Sequence, residues 1–156
     1  MLELEIPGRG QLQLSHLVLD LNGTLAKDGV VMPGVRERLR TLRGRFDIVI
    51  VTADTHGVAD GLGAELNVTV HRLSPGAEAA QKRAYAGMLG AERCVAIGNG
   101  VNDVALLAAA AVGICVVGPE GAAGGAVTAA DIVCGDILSA LDLLAHPLRL
   151  VATLRS

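Results

Sequence analysis

Aromatic side chains are nearly missing from this chain: its 156 residues include one phenylalanine, one tyrosine and no tryptophan. With 51% hydrophobic residues and a mean hydropathy of +0.50, the core must be built from Leu, Val, Ile and Ala. An excess of basic charge is missing too. The formal net charge is −3 and the isoelectric point about 5.7, which leaves no electrostatic footprint for a nucleic acid. A membrane span needs roughly 20 apolar residues. The longest uncharged stretch, Val104 to Pro119, is shorter than that and broken by glycine. The chain opens without the basic and apolar regions of a secretory signal. Cysteine is scarce. Cys94, Cys115 and Cys134 each sit in an apolar run with no ligand spacing, and read as buried free thiols. No Cys/His cluster suggests zinc. These absences point to a cytoplasmic protein without membrane or nucleic-acid partners.

What is present is an alternation of strand-like and helix-like segments. Leu2 to Leu14 alternates apolar and polar residues on both sides of Pro7-Gly8-Arg9-Gly10, the pattern of a β-hairpin lying outside the main sheet. Strands are expected at His16–Asp20, Phe46–Val51, Val68–Leu73, Arg93–Ile97, Gly113–Val117 and Asp131–Cys134. Helices are expected from Pro33 to Arg43, Thr55 to Leu66, Ser74-Pro75 to Leu89, Val101 to Ala110, Ala122 to Ala129 and Asp136 to Ala145. Ala26 to Met32 reads as a small flap, and 146–156 as an apolar tail. Strands separated by helices imply βαβ units and a parallel sheet covered on both faces. The fold class is therefore α/β: a doubly wound, Rossmann-like three-layer sandwich. One domain spans 1–156, with a hairpin at 1–14, a core at 16–145 and the tail. Hairpin and tail are candidates for an oligomer contact, or simply for padding at the edge of the fold.

Polar residues cluster at the ends of these strands. Leu17-Val18-Leu19 ends on Asp20 and runs into Leu21-Asn22-Gly23-Thr24; the second strand ends on Thr52-Ala53-Asp54; the fourth ends on Gly98-Asn99-Gly100, with Asn102 and Asp103 following. Lys82 lies near a helix start. Open α/β sheets bind ligands at this carboxyl edge. A carboxylate there can act as a nucleophile, a loop of N–H groups can hold an anion, and oxygen donors can hold Mg²⁺. Each residue also has an alternative reading. Asn22-Gly23 suits a hairpin turn, Thr52 a strand-end cap, Lys82 a solvated helix face, and Asn102-Asp103 the first turn of a helix.

DLNGT resembles the DxDGT and DKTGT motifs of the haloacid dehalogenase superfamily, which includes the P-type ATPases. Thr52-Ala53-Asp54 is similar to the ATPases' TGD, and GNGVNDVALLAAAAVGICV with the later AADIV resembles their GDGVND hinge segment. Pro75 with Gln81-Lys82 loosely resembles their lysine motif, across a longer gap. The chain thus looks like a small, soluble, P-type ATPase-like hydrolase of that superfamily. Only 32 positions separate Asp20 from Thr52, and 30 separate Thr52 from Lys82, so neither gap holds a folded insert of domain size. The resemblance is to the capless members, whose site is often covered by a neighbouring subunit or a macromolecular substrate; transport driven by ATP is not expected.

The resemblance implies a phosphatase acting on a small phosphorylated metabolite or an acyl or aryl phosphate. Asp20 would accept the phosphoryl group. Thr52, Lys82 and the backbone at Leu21, Asn22 and Ala53 would hold its oxygens. Mg²⁺ would sit among Asp20, the Asn22 carbonyl, Asn99 and Asp103, supported by Gly23, Thr24, Asp54, Gly98 and Asn102. Two residues depart from the pattern. Asn22 stands where the phosphatases carry a general acid/base Asp, and Asn99 where they carry a metal-binding Asp. Slow turnover and weak Mg²⁺ binding are expected, with Asp54 a substitute acid/base. The alternative is a weakened phosphate-binding or regulatory protein acting through partners. A dinucleotide site is disfavoured, because Asp103 stands where the third glycine of that fingerprint would be.

Overall fold

A computed structural model describes residues 1–54 and 57–156. Its centre is a six-stranded sheet in which every neighbouring pair runs parallel. The two-stranded ribbon that precedes it, β1 (Leu2–Ile6) and β2 (Gly10–Leu14), forms a separate antiparallel sheet. The central strands are β3 (His16–Leu19), β6 (Asp47–Thr52), β7 (Thr69–Arg72), β8 (Cys94–Gly98), β9 (Val112–Val116) and β10 (Ile132–Cys134). They lie in the order β10-β9-β8-β3-β6-β7. The order reverses between β3 and β8, which makes that crevice the switch point where such sheets bind ligands.

Alternation along each strand divides the core in two. One face collects the bulky aliphatics Leu17, Leu19, Ile48, Ile50, Val95, Ile97 and Ile114. They pack under α1 (Val35–Leu42), α2 (Val58–Leu66) and α6 (Ile137–Ala145). The other face is built of smaller groups, Val18, Val49, Ala96, Cys94 and Cys115. Over it lie α3 (Glu78–Leu89), α4 (Val104–Ala109) and α5 (Gly124–Ala129). Gly113 explains why small residues are needed here: a Cβ on it would come within 2.3 Å of the Leu107 carbonyl. All three cysteines are buried and free, as expected.

Several expectations shift. The flap at 26–32 is a short antiparallel ribbon, β4 (Ala26–Lys27) and β5 (Val30–Val31). The helix expected from Ser74-Pro75 begins at Glu78, because Gly76 and Ala77 are both left-handed (φ 82° and 51°) and interrupt it. Ser74 instead exchanges two hydrogen bonds with the Gln81 amide. The expected start of α2, Thr55 with His56, lies outside the described residues. The apolar tail is a helix, α7 (Pro147–Leu154). Pro147 opens it rather than ending the previous element, since the first helical turn does not need the missing N–H. Leu150 and Leu154 of α7 join Leu2, Leu4, Ile6 and Leu14 of the ribbon in the main core. Ribbon and tail therefore pack on each other and on the core within one chain. Among the described residues no single helix is long and apolar enough to cross a membrane.

Candidate active site

β3, β6 and β8 all end at the same edge. There they surround a cavity of about 430 Å³ lined by Asp20, Asn22, Thr52, Asp54, Lys82 and Asn99, together with Ala53, Glu78, Gly100 and Asn102. Asp20 forms the floor. Its N–H donates to Ile97 O (3.0 Å), which continues the β3–β8 ladder by one residue beyond the strand. The next residues turn tightly: the Leu21 carbonyl accepts N–H groups from Thr24, Leu25 and Ala26 at 3.2, 2.9 and 2.9 Å. Gly23 is left-handed (φ 79°), a conformation that a side chain would strain.

Lys82 projects from α3 into the floor and is 1% exposed. Its Nζ lies 2.7 Å from Asp20 Oδ1 and 2.7 Å from Asp103 Oδ1. Asp103 is fully buried, and its Oδ2 accepts the N–H groups of Asn99 (3.0 Å) and Gly100 (2.9 Å). Gly98 leaves room for that carboxylate, since a Cβ there would lie 2.4 Å from Asp103 Cγ. Asp103 thus stands behind Lys82 and outside the cavity wall. The other Asp20 oxygen accepts from the Thr24 hydroxyl (3.1 Å), which also lies 3.3 Å from Asn99 Oδ1.

The electrostatics follow from two carboxylates sharing one buried ammonium. Burial raises the Asp20 carboxyl to about 6, the Asp103 charge adds to this, and Lys82 and Thr24 oppose it. Burial alone would lower the Lys82 ammonium, but Asp20 and Asp103 override it and hold Lys82 above its ordinary range.

Thr52 closes β6 with its hydroxyl accepting the Asp54 N–H at 3.0 Å. Asp54 is nearly buried; its carbonyl accepts from Arg72, and its carboxylate lies 3.5 Å from the Ala59 N–H. Asn102 donates to Glu78 Oε2 at 3.2 Å. The structure brings Asp20, Asn22, Thr52, Ala53, Asp54, Lys82, Asn99 and Asn102 to the cavity wall, whereas Asp103, expected as a metal ligand, is turned away from it with its oxygens taken by Lys82 and two backbone N–H groups. It adds Glu78, which was not foreseen; its position four residues before Lys82 on α3 was the available signal. No cluster of three or more His, Cys, Asp and Glu side chains suited to a metal occurs among the described residues.

A family model for haloacid dehalogenase-like hydrolases matches residues 3–111. An uncharacterized protein of Methanocaldococcus jannaschii, MJ0073, is 52% identical over 64 residues, covering 41% of this chain and 69% of that protein. Among solved structures, a putative 3-deoxy-D-manno-octulosonate 8-phosphate phosphatase from Vibrio cholerae superposes with a TM-score of 0.71 at 14% identity, covering 96% of this chain and 97% of the other. The corresponding enzyme from Moraxella catarrhalis, in complex with magnesium, phosphate and sugar acid, gives 0.69 at 17% identity, covering 85% and 86%. A phospho-aspartyl intermediate analogue of phosphoserine phosphatase gives 0.67 at 13%, covering 86% and 99%. At these identities the structural likenesses establish a shared fold.

Proposed function

Because the chain belongs to the haloacid dehalogenase-like hydrolase family, we propose that it is a magnesium-dependent phosphatase working through an aspartyl-phosphate on Asp20. The observation that carries this reading is the buried Asp20–Lys82–Asp103 set, with Asp20 turned into the cavity. The fold neighbours with bound magnesium and phosphate, and with a phospho-aspartyl analogue, support it. We also read the chain as one capless domain whose substrate is a small phosphorylated metabolite or an acyl or aryl phosphate.

In this mechanism an Asp20 oxygen attacks phosphorus and the bond from phosphorus to the leaving oxygen breaks. Water then attacks the aspartyl-phosphate, releasing inorganic phosphate and restoring the carboxylate. Lys82 has three N–H donors, two of which point at carboxylates, so the third is available to a phosphoryl oxygen. Thr52 and the backbone N–H groups of Leu21, Asn22 and Ala53 complete the cradle. The candidate metal donors are all hard oxygens, and Thr24 already joins two of them, on Asp20 and Asn99. That set fits magnesium, with the Asn22 carbonyl as third donor and Asp103 holding Lys82 and the Asn99 backbone from behind. Bound there, the ion would offset the negative charge of the phosphoryl group.

Asn22 cannot give a proton to the leaving oxygen. General acid–base catalysis is worth roughly 10²–10⁴-fold, about 3–5 kcal/mol of barrier. Acyl and aryl phosphates, whose leaving groups need no proton, are therefore the favoured substrates, and Asp54 is the nearby carboxylate that could assist with others. The test is p-nitrophenyl phosphate hydrolysis with magnesium and then with EDTA, beside Asp20→Asn. Magnesium-dependent turnover lost in the variant is the expected result; no turnover above the variant overturns the reading. The two amides Asn22 and Asn99 favour a second reading, a phosphate-binding regulatory protein. It requires phosphate to raise thermal stability without turnover.

A further inference from the structure

The magnesium site of the preceding reading has an unusual charge balance. Of the three donors assigned to magnesium only Asp20 is an acid; Asn22 offers a carbonyl and Asn99 an amide. The other cavity carboxylates lie against other groups, Asp54 by the Ala59 N–H and Glu78 accepting from Asn102. Asp103 cannot make up the difference, because both its oxygens already accept from Lys82 and from two backbone N–H groups. Magnesium sites commonly use one or two carboxylates. A second one lies close by, on an element that the family motifs do not include.

Between β9 and α5 the chain makes a turn closed by Gly121 N–H to Gly118 O (2.9 Å). Asn99 anchors this turn twice: its Nδ2 donates to Gly121 O (3.1 Å), and its carbonyl accepts the Ala123 N–H (2.8 Å). The turn therefore follows Asn99. Glu120 sits within it and reaches back over Gly23, the residue directly after Asn22. A Cβ built on Gly23 would lie 2.6 Å from Asn99 Nδ2, 2.7 Å from Glu120 Oε2 and 3.0 Å from Asn99 Oδ1. The Glu120 carboxylate and the Asn99 side-chain amide thus border one small space over Gly23, the residue after Asn22, which glycine leaves open. The other Glu120 oxygen lies 3.4 Å from the Asp28 N–H, linking the turn to the β4–β5 ribbon.

We propose that Glu120 is a further carboxylate of the magnesium site, supplying from the β9–α5 turn the charge that Asn99 lacks, either directly or through a water on the ion. The inference rests on the magnesium reading of the site. It also gives Gly23 a second role: besides its left-handed backbone, it keeps clear the space that Glu120 and Asn99 face.

The test is calorimetric titration of magnesium alone into the parent protein, Glu120→Gln, Asp20→Asn and Asn99→Asp, with Glu3→Gln on the outer face of the hairpin as control. Thermal midpoints taken without magnesium check that each variant is folded. Glu120→Gln should weaken magnesium binding roughly tenfold, the scale of losing one supporting carboxylate, while Glu3→Gln leaves it unchanged. In the Asn99→Asp background the same substitution should matter less, because the charge has been restored. If Glu120→Gln binds as tightly as the parent while Asp20→Asn does not bind, the role of Glu120 is overturned and the magnesium site stands. If parent and Asp20→Asn bind equally, or neither binds, the magnesium reading falls and the role of Glu120 falls with it.

Discussion

Arg38 and Asp142 join α1 to α6 through hydrogen bonds of 2.7 and 3.0 Å, with both side chains about one third exposed. Lys82 joins α3 to two carboxylates at 2.7 Å, Asp20 at the end of β3 and Asp103 just before α4, and is 1% exposed. The contacts are alike in length but the clusters differ in charge and in surroundings. On the surface one cation meets one anion, and water screens both. Hydrogen bonds from Arg38 hold the Asp142 carboxyl below its ordinary range. At the sheet edge two carboxylates share one ammonium, so the set carries an excess negative charge in a place where burial penalises it. Burial, with the Asp103 charge adding to it, raises the Asp20 carboxyl to about 6. A buried unbalanced charge is poor evidence for a purely structural role. Here the unbalanced member faces a cavity, where a cation and a phosphoryl group would complete the set.

Lys82→Ala breaks the buried cluster and leaves two carboxylates without their shared cation. It should destabilise the fold by about 3–5 kcal/mol and abolish turnover, read by urea unfolding and by p-nitrophenyl phosphate hydrolysis. Gly98→Ala sharpens the comparison without changing any charge. Its Cβ would press on Asp103, 2.4 Å from Cγ, and overpacking of this kind costs roughly 1–3 kcal/mol. Turnover should fall with it, because Lys82 loses its fixed position; unchanged stability and rate would mean that the Asp103 seat is not critical.

Asp20→Asn should act in opposite directions on rate and stability. The folded carboxyl titrates near 6, above its ordinary 3.8, so the native state holds this proton more tightly than the unfolded chain. Its contribution to stability is full below about pH 3.8 and is lost as pH rises through about 6. The variant cannot ionise here. In metal-free buffer its folding stability relative to the parent should therefore rise across that window, by on the order of 1–3 kcal/mol at neutral pH, and its thermal midpoint with it. A variant less stable than the parent at pH 7.5 would contradict the electrostatic account.

Arg38→Ala should have the smallest effect, a modest fall in thermal midpoint that shrinks at high salt, with turnover unchanged. The sign with pH is the reverse of that at Asp20. Because the folded Asp142 carboxyl is depressed, its contribution is present above the ordinary carboxylate range and is lost as pH falls through the lower folded value.

Much of this was legible before the structure. Parallel strands buried on both faces read as aliphatic runs, and β3, β6 and β8 end where a polar residue meets the cavity, so Asp20, Thr52 and Asn99 stand out from pattern alone. Lys82 did not stand out: between Gln81 and Arg83 it looks like a solvated helix residue, and only packing against α4 and the sheet buries it. The α7 helix was missed because Pro147 is equally a stop for α6 and a first residue for the next helix; Leu150 and Leu154, four apart, were the better signal. The start of α3 was misplaced because two left-handed residues after Pro75 leave no mark in hydrophobic periodicity. Glu120 was invisible, since nothing in its own neighbourhood shows that a turn anchored on Asn99 brings it over Gly23.

The most direct test of the account is to look for the covalent intermediate. Protein incubated with magnesium and acetyl phosphate, quenched in acid and digested, would be read by peptide mass spectrometry beside Asp20→Asn and Asp54→Asn. The account predicts one added phosphoryl group on the peptide carrying Asp20, absent in Asp20→Asn and retained in Asp54→Asn. Substrate turnover with no phosphoryl adduct, or an adduct that survives in Asp20→Asn, would contradict it.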